Sequence, residues 1–319
     1  MQQKQTEPQQ TSSGPARKLI DVSPHRTTGA ISIKGITPYP AEHESYTERY
    51  TIATLALCHD VVQIRSQPHA EEYLDEKNKK RKYTPDLLIK TKTTQHIVEV
   101  KTLNYLFQPK AIAKYRQIGA RFRHLKQSFA FLTDAQIESG ERFENVKILF
   151  RYSHSDLPQG ALEKILQWND GVSIAIRDLM TKLDLQLVEI YTAIAQKHLS
   201  IEWDSPLSDS AQVSKINQPL KGLSIESILS SGRYGGVLEQ LALGIAPTDQ
   251  QLLADGATWR QAKVLPNAYS SIGGFQAQTP LRSLAEDELR AGTVWDRRNR
   301  APGKASEKRT QLKVEGSQK

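Results

Sequence analysis

Cysteine is almost missing from this chain, which has Cys58 as its one thiol in 319 residues. No disulfide can form within it, and no cysteine-based zinc cluster is available. Long apolar runs are also missing, so no segment is expected to span a bilayer. The opening stretch, Met1 to Pro15, is rich in Gln, Thr and Ser and lacks the apolar core of a signal peptide. These absences lead to the expectation of a cytoplasmic protein with no membrane contact. There is no Gly-x-x-x-x-Gly-Lys phosphate loop, so any ATP hydrolysis must come from a partner. The eight histidines are scattered without metal-ligand spacing, and His96 could face either side of its strand. Acid is in short supply: Lys and Arg number 43 against 35 Asp and Glu, a formal net charge of +8. A polyanion such as nucleic acid is the partner that this imbalance favours.

What is present is concentrated between Lys82 and Lys101. Tyr83-Thr84-Pro85-Asp86 leads into the apolar run Leu87 to Ile89, and His96 to Lys101 forms a second run after Thr91 to Thr94. Two apolar runs around a short polar turn predict a β-hairpin. Asp86 would open the first strand. Glu99 and Lys101, two residues apart on the second, would share a face at the rim of the sheet. Neighbouring carboxylates repel, and both stay ionised only with a cation between them. Oxygen donors suit Mg²⁺, with Mn²⁺ as a substitute, and the expected ligands are Asp86, Glu99 and the carbonyl of Val100. A lysine beside them can position water or stabilise transition-state charge. The pattern resembles the PD-(D/E)xK nucleases, although a solvated hairpin with an exposed Glu99/Lys101 pair would carry the same letters.

The flanking chain supplies the order of elements that such a core needs. A helix is expected from Ala41 to about Leu57, with Glu44 and Glu48 four apart on one face. A short strand follows at Val61 to Ile64, and Asn78 to Lys82 reads as a basic turn. Ala111, Ile112, Tyr115, Ile118, Gly119, Phe122 and Leu125 recur at helical spacing. The opposite face of that helix carries Lys110, Lys114, Arg116, Arg121, Arg123 and Lys126, either solvated or touching phosphates. Ser128 to Leu132 and Val146 to Tyr152 are expected strands. The predicted fold is an α/β restriction-endonuclease-like core, a mixed sheet flanked by helices.

Landmarks in residues 42–152 then narrow the resemblance. Glu44-Ser45-x-x-Glu48-Arg49, Val61, Gln67-Pro68, Tyr83-Thr84-Pro85-Asp86 and Val98-Glu99-Val100-Lys101 are similar in order to TnsA-type transposon endonucleases. So are Phe131-Leu132-Thr133-Asp134, Ile137, Asn145-Val146, Leu149 and Arg151-Tyr152. The resemblance implies a subunit that cuts double-stranded DNA at the 5′ ends of a transposon. It would work beside a DDE-type transposase and an AAA-type ATPase regulator. Carried over residue by residue, Asp86 and Glu99 would bind metal, Lys101 would be the catalytic lysine, and Glu48 would complete the site, with Glu44 as its substitute. Some relatives have Gln where Glu99 stands.

Four regions follow from this reading. Residues 1–35 are expected to be disordered, and 36–152 to form the nuclease domain. Residues 153–215 predict helices at Leu162–Trp168, Ser173–Leu183 and Gln186–His198, then a strand at Ile201–Trp203. That order is a winged-helix outline. The third helix has only Lys197 and His198 as basic residues, so a protein-docking role stands beside DNA reading. Residues 216–319 read as a partly disordered tail with weak helical stretches such as Val237 to Leu243, strongly basic from Arg297 to Lys313. Two rival functions share these features: a restriction- or repair-type nuclease, and a non-catalytic DNA-binding adaptor with a decayed nuclease fold.

Overall fold

The computed structural model describes residues 14–17 and 28–247, apart from 139, 170, 217, 218 and 231–234. Strands β1 (Gly29–Ile31) and β2 (Ala41–His43) pair antiparallel ahead of helix α1 (Tyr46–Leu57). The helix therefore starts later than the expected Ala41. Ser45 caps it by accepting a hydrogen bond from the Glu48 amide at 3.1 Å, which satisfies one of the free donors of the first turn. Its last turns are wholly buried, from Thr51 to Leu57, and Cys58 beyond them has no exposure.

The central sheet contains β3 (Val61–Ser66), β6 (Leu87–Thr91), β7 (Gln95–Lys101) and β8 (Ser128–Thr133), in that spatial order. Between β3 and β6 the chain makes a separate hairpin, β4 (Glu71–Leu74) with β5 (Lys80–Tyr83). The segment expected to be a basic turn is thus mostly strand, and Asn78, at φ 55°, sits in the turn itself. The β6–β7 hairpin matches expectation, with the Thr91 hydroxyl accepting from the Thr93 and Thr94 amides. Strands β7 and β8 are parallel, joined through α2 (Leu103–Leu106) and α3 (Pro109–His124).

Strand alternation divides the core into two layers. Leu87, Ile89, Val98, Val100 and Leu132 pack with Ile52 and Leu55 of α1. Leu88, Ile97, Phe129 and Phe131 pack with Tyr115, Ile118 and Phe122 of α3. This is a mixed sheet flanked by helices, as predicted.

Val146 to Tyr152 is a correction. Those residues are not a strand: after α4 (Asp134–Ile137) they lie in α5 (Gly140–Leu149) and the 3-10 turn Phe150–His154. Asn145, Val146 and Leu149 are buried at helical spacing. The Asn145 amide donates to the carbonyls of Trp203 (3.0 Å) and Ser205 (2.8 Å) and accepts from the Leu207 amide. Burial of Val146 and Leu149 on one helical face, beside the Asn145 bonds, outweighs the local β preference.

Next come α6 (Gln159–Gln167), β9 (Ile174–Ala175), α7 (Ile176–Leu183), α8 (Leu187–Ala195), β10 (Leu199–Ile201) and β11 (Gln212–Lys215). The three strands form a small antiparallel sheet in the order β10-β11-β9. The expected strand at Ile201–Trp203 starts and ends two residues earlier, and the chain turns at Trp203. Ile176, Ile190, Ile194, Leu199 and Trp203 share one continuous apolar cluster with the α1 layer. The expected boundary at residue 152 runs through the 3-10 turn.

Part of the expected tail is ordered. Helix α9 (Ile225–Leu229) is held at its start by the Asp60 carboxylate, which accepts from the Ile225 amide at 3.1 and 3.2 Å. Helix α10 (Gly235–Ala242) buries Val237, Leu238 and Leu241 in the α3 layer. The basic stretch Arg297 to Lys313 and most of the expected N-terminal disorder lie outside the described residues. Among the described residues no helix is long and apolar enough to cross a membrane.

At Gly119 the α3–α10 contact is so close that an added Cβ would sit 2.5 Å from the carbonyl oxygens of Leu241 and Ala242. Gly119→Ala is expected to cost about 1–3 kcal/mol through overpacking. Gly160→Ala, where a Cβ meets nothing within 4 Å, is expected to be neutral or slightly stabilising. Thermal melting of the two variants beside wild type checks this; equal melting temperatures would contradict the close packing.

Candidate active site

Asp86 stands immediately before β6. Its carbonyl accepts from the Gln67 amide at 2.9 Å, which continues the β3–β6 ladder by one rung. Its carboxylate Oδ2 accepts from the Val100 amide, also at 2.9 Å, and ties it to the end of β7. Glu99 and Lys101 alternate with Val100 on β7 and therefore share the α3 side of the sheet. The Glu99 carboxylate accepts from the Tyr115 hydroxyl at 2.6 Å through Oε1 and from the Tyr83 hydroxyl through Oε2. Lys101 Nζ lies 2.8 Å from Asp86 Oδ2, 3.0 Å from Glu99 Oε1 and 2.9 Å from the Val100 carbonyl oxygen. One ammonium thus touches the three oxygens that the sequence assigned to a metal.

The site is not at the open rim that the sequence suggested. Glu99 is 2 % exposed, because Tyr83 and Tyr115 close over it. Burial, then the charge of Glu99, push the Asp86 carboxyl up to about 8, with Glu48 adding to the rise and Lys101 opposing it. Burial works against the Lys101 charge, but Glu99 and Asp86 outweigh it and hold the ammonium above the ordinary lysine range. Burial also raises the Glu48 carboxyl, against the pull of the Glu44 amide and of Lys101. Tyr83 and Tyr115 are pushed upward by burial and by Glu99, so both remain protonated donors. Burial is the main cause for both Asp86 and Glu48, and neighbouring carboxylates add to it, Glu99 for Asp86 and Glu44 for Glu48.

Asp86, Glu99, Val100 and Lys101 converge, and Glu48 joins them electrostatically from the first turn of α1. Its carboxylate accepts from the Glu44 amide at 2.7 Å. The Glu44 side chain instead pairs with Arg17 at 3.2 Å. His96 faces inward, bonded to Ser128 and Thr94 on the far half of the hairpin from the acids. Among the described residues no three His, Cys, Asp or Glu side chains gather as a metal cage. The oxygen set is therefore two carboxylates and a carbonyl.

The sequence reading missed both tyrosines as site residues. Tyr115 was absorbed into the apolar stripe of α3, and Tyr83 read as a landmark without a role. A tyrosine at a core position needs a partner for its hydroxyl, and that requirement is the signal that was available. Lys114, read only as part of a basic face, lies over both rings, 5.7 Å from the centre of Tyr83 and 4.8 Å from that of Tyr115.

Residues 58–134 match the family model described as TnsA-like endonuclease N terminal. The matched stretch runs from the end of α1 into the start of α4 and contains Asp86, Glu99, Val100 and Lys101; Glu44 and Glu48 precede it. Over these residues the chain is similar to endonucleases of the TnsA type. No curated protein matches the chain.

The raised Asp86 carboxyl fixes a sign for stability. Its folded value, about 8, lies above the unfolded one, so its contribution is full in acid and is lost as pH rises towards 8. In chelator, Asp86→Asn is expected to melt progressively higher relative to wild type as pH goes from 5 to 8. Melting curves across that range check it, and a constant gap would contradict the buried surplus charge.

Proposed function

We propose that this chain is the metal-dependent DNA endonuclease subunit of a heteromeric transposase, hydrolysing a phosphodiester bond at the 5′ ends of a mobile element. The observation that carries the reading is the convergence of Asp86 Oδ2, Glu99 Oε1 and the Val100 carbonyl on one cationic nitrogen, within a stretch matching a TnsA-like endonuclease domain. Hard divalent ions take such oxygens and keep several waters, so two carboxylates and a carbonyl suffice without a full protein cage. The donor set fits: the ammonium stands where a cation of higher charge would relieve the surplus of carboxylate.

Asp86, Glu99 and Val100 would hold Mg²⁺ or Mn²⁺. When bound, the ion supplies a Lewis acid for the phosphate and a more acidic water. The chain's own residues do the rest. Tyr83 and Tyr115 fix both Glu99 oxygens, which sets the direction of that carboxylate. The Val100 amide does the same for Asp86. Lys101, held protonated by its two carboxylate neighbours, donates hydrogen bonds and stabilises negative charge developing on the phosphate. Glu48, with its raised proton affinity, is the group suited to accept a proton from the attacking water.

We read α6, α7, α8 and the β10–β11 hairpin as a winged helix that docks a partner protein. In support, Lys197, just past α8, spends its ammonium on the Val61 carbonyl at 2.9 Å, and burial keeps His198 below the usual histidine range. Neither is a free phosphate contact. Leu187 and Val188 at the start of α8 are exposed. The partners in this reading are a DDE-type transposase, which would find the transposon ends, and an AAA-type ATPase regulator.

Asp86→Ala and Lys101→Ala are each expected to reduce Mg²⁺-dependent 5′-strand cleavage in the presence of the partners by at least about 10²-fold, with folding retained. Mg²⁺ is expected to raise the melting temperature of wild type and not of Asp86→Ala. Wild-type cutting by Asp86→Ala would remove the assignment. The chain alone on end-containing DNA is expected to cut poorly; efficient site-specific cutting without partners would favour a restriction-type enzyme.

A further inference from the structure

We infer that the β4–β5 hairpin is a phosphate-gripping wing for double-stranded DNA, placed to hold the duplex a few base pairs from the candidate active site. The inference rests on the nuclease reading for its substrate but on different residues. From Lys77 to Lys82 the chain reads Lys-Asn-Lys-Lys-Arg-Lys, and all six residues are exposed. Three of the hairpin's four acids, Glu71, Asp75 and Glu76, are held in ion pairs with arginines. Glu71 pairs with Arg121 at 3.5 Å and Glu76 with Arg116 at 3.4 Å, which fastens the hairpin along α3. Asp75 pairs with Arg81 at 2.9 Å and accepts from the Lys77 and Lys79 amides, which closes the turn. Glu72 stands opposite Lys82 in the register. Lys77, Lys79, Lys80 and Lys82 form no ion pair among the described residues.

Three acids therefore anchor the hairpin, and four exposed lysines face only Glu72, opposite Lys82, as an unengaged acid of the hairpin. A patch that served only solubility would not need its acids sorted in this way. The hairpin also leads directly into the site. Its last residue, Tyr83, bonds Glu99, and Asp86 follows three residues later. At roughly 3.3 Å per residue, Lys82 lies within about 13 Å of Asp86 along the chain and Lys80 within about 20 Å. One base pair advances the duplex by about 3.4 Å, so the lysines reach phosphates within roughly six base pairs of the scissile one. Lys114, over the Tyr83 ring, extends the positive surface from the wing towards the site.

The test is binding of the full chain, in chelator, to a duplex of arbitrary sequence, measured by fluorescence anisotropy across a salt series. Each lost phosphate contact lowers the slope of log K against log salt by about 0.9. Lys80→Gln/Lys82→Gln is expected to lower the slope by about 1.8. Lys90→Gln/Lys92→Gln, at the far end of β6, is expected to leave it unchanged. Lys77→Gln/Lys79→Gln in the turn gives a second reading should the strand pair disturb folding, which melting curves report. An unchanged slope in both hairpin variants, an equal loss in the far-end pair, or no duplex binding by wild type would overturn the proposal; the first of these would leave the lysines to an acidic protein partner. The nuclease reading is judged separately by Asp86-dependent cleavage, so a wing that fails with cleavage intact, and a wing that holds with no cleavage, are distinct results.

Discussion

A carboxylate buried as deeply as Glu99 is the constraint on which this structure depends. An isolated polar group at that depth would be costly, and here both carboxylate oxygens have partners. Lys101 supplies the charge, and Tyr83 and Tyr115 supply the donors. Those three come from different parts of the chain: the end of β7, the end of the β4–β5 hairpin and the middle of α3. Satisfying one carboxylate therefore fixes the docking of a helix and a hairpin on the sheet. The apolar contacts of Phe122, Phe129 and Phe131 around the same tyrosines reinforce that arrangement.

The surplus of negative charge gives the site a different character from an ordinary ion-pair network. Lys101 is shared between Asp86 and Glu99, and burial holds the Asp86 and Glu48 carboxyls above the ordinary carboxylate range. Perturbed carboxyls gathered in this way are more common at functional sites than in purely structural networks.

How much of this was legible in the sequence depends on the distance over which each feature is decided. Asp86, Glu99 and Lys101 could be read because strand alternation is local, and the hairpin turn at Thr91 to Thr94 is marked by its own letters. The partnership of Tyr83 and Tyr115 could not be read, because it exists only once β5 and α3 meet over β7. Val146 to Tyr152 fits either period by composition, and the deciding contacts run from Asn145 to residues 203–207. The basic run at Lys77 to Lys82 was visible, but not its pairing with β4, which depends on which acids α3 engages. A helix at Val237 to Leu243 was visible as a weak pattern, and its destination was not.

That destination has a consequence for how the protein is made. Helix α3 ends at His124 and α10, which covers its apolar side, begins at Gly235, more than a hundred residues later. A ribosome adding roughly 5–20 residues per second leaves that interval open for on the order of 5–20 seconds. Throughout it, the layer around Tyr115 and Phe122 lacks part of its cover. The domain carrying the candidate site is thus completed after the region that follows it has been synthesised, and a nascent chain stalled before α10 holds all of Asp86, Glu99 and Lys101 on an unfinished scaffold.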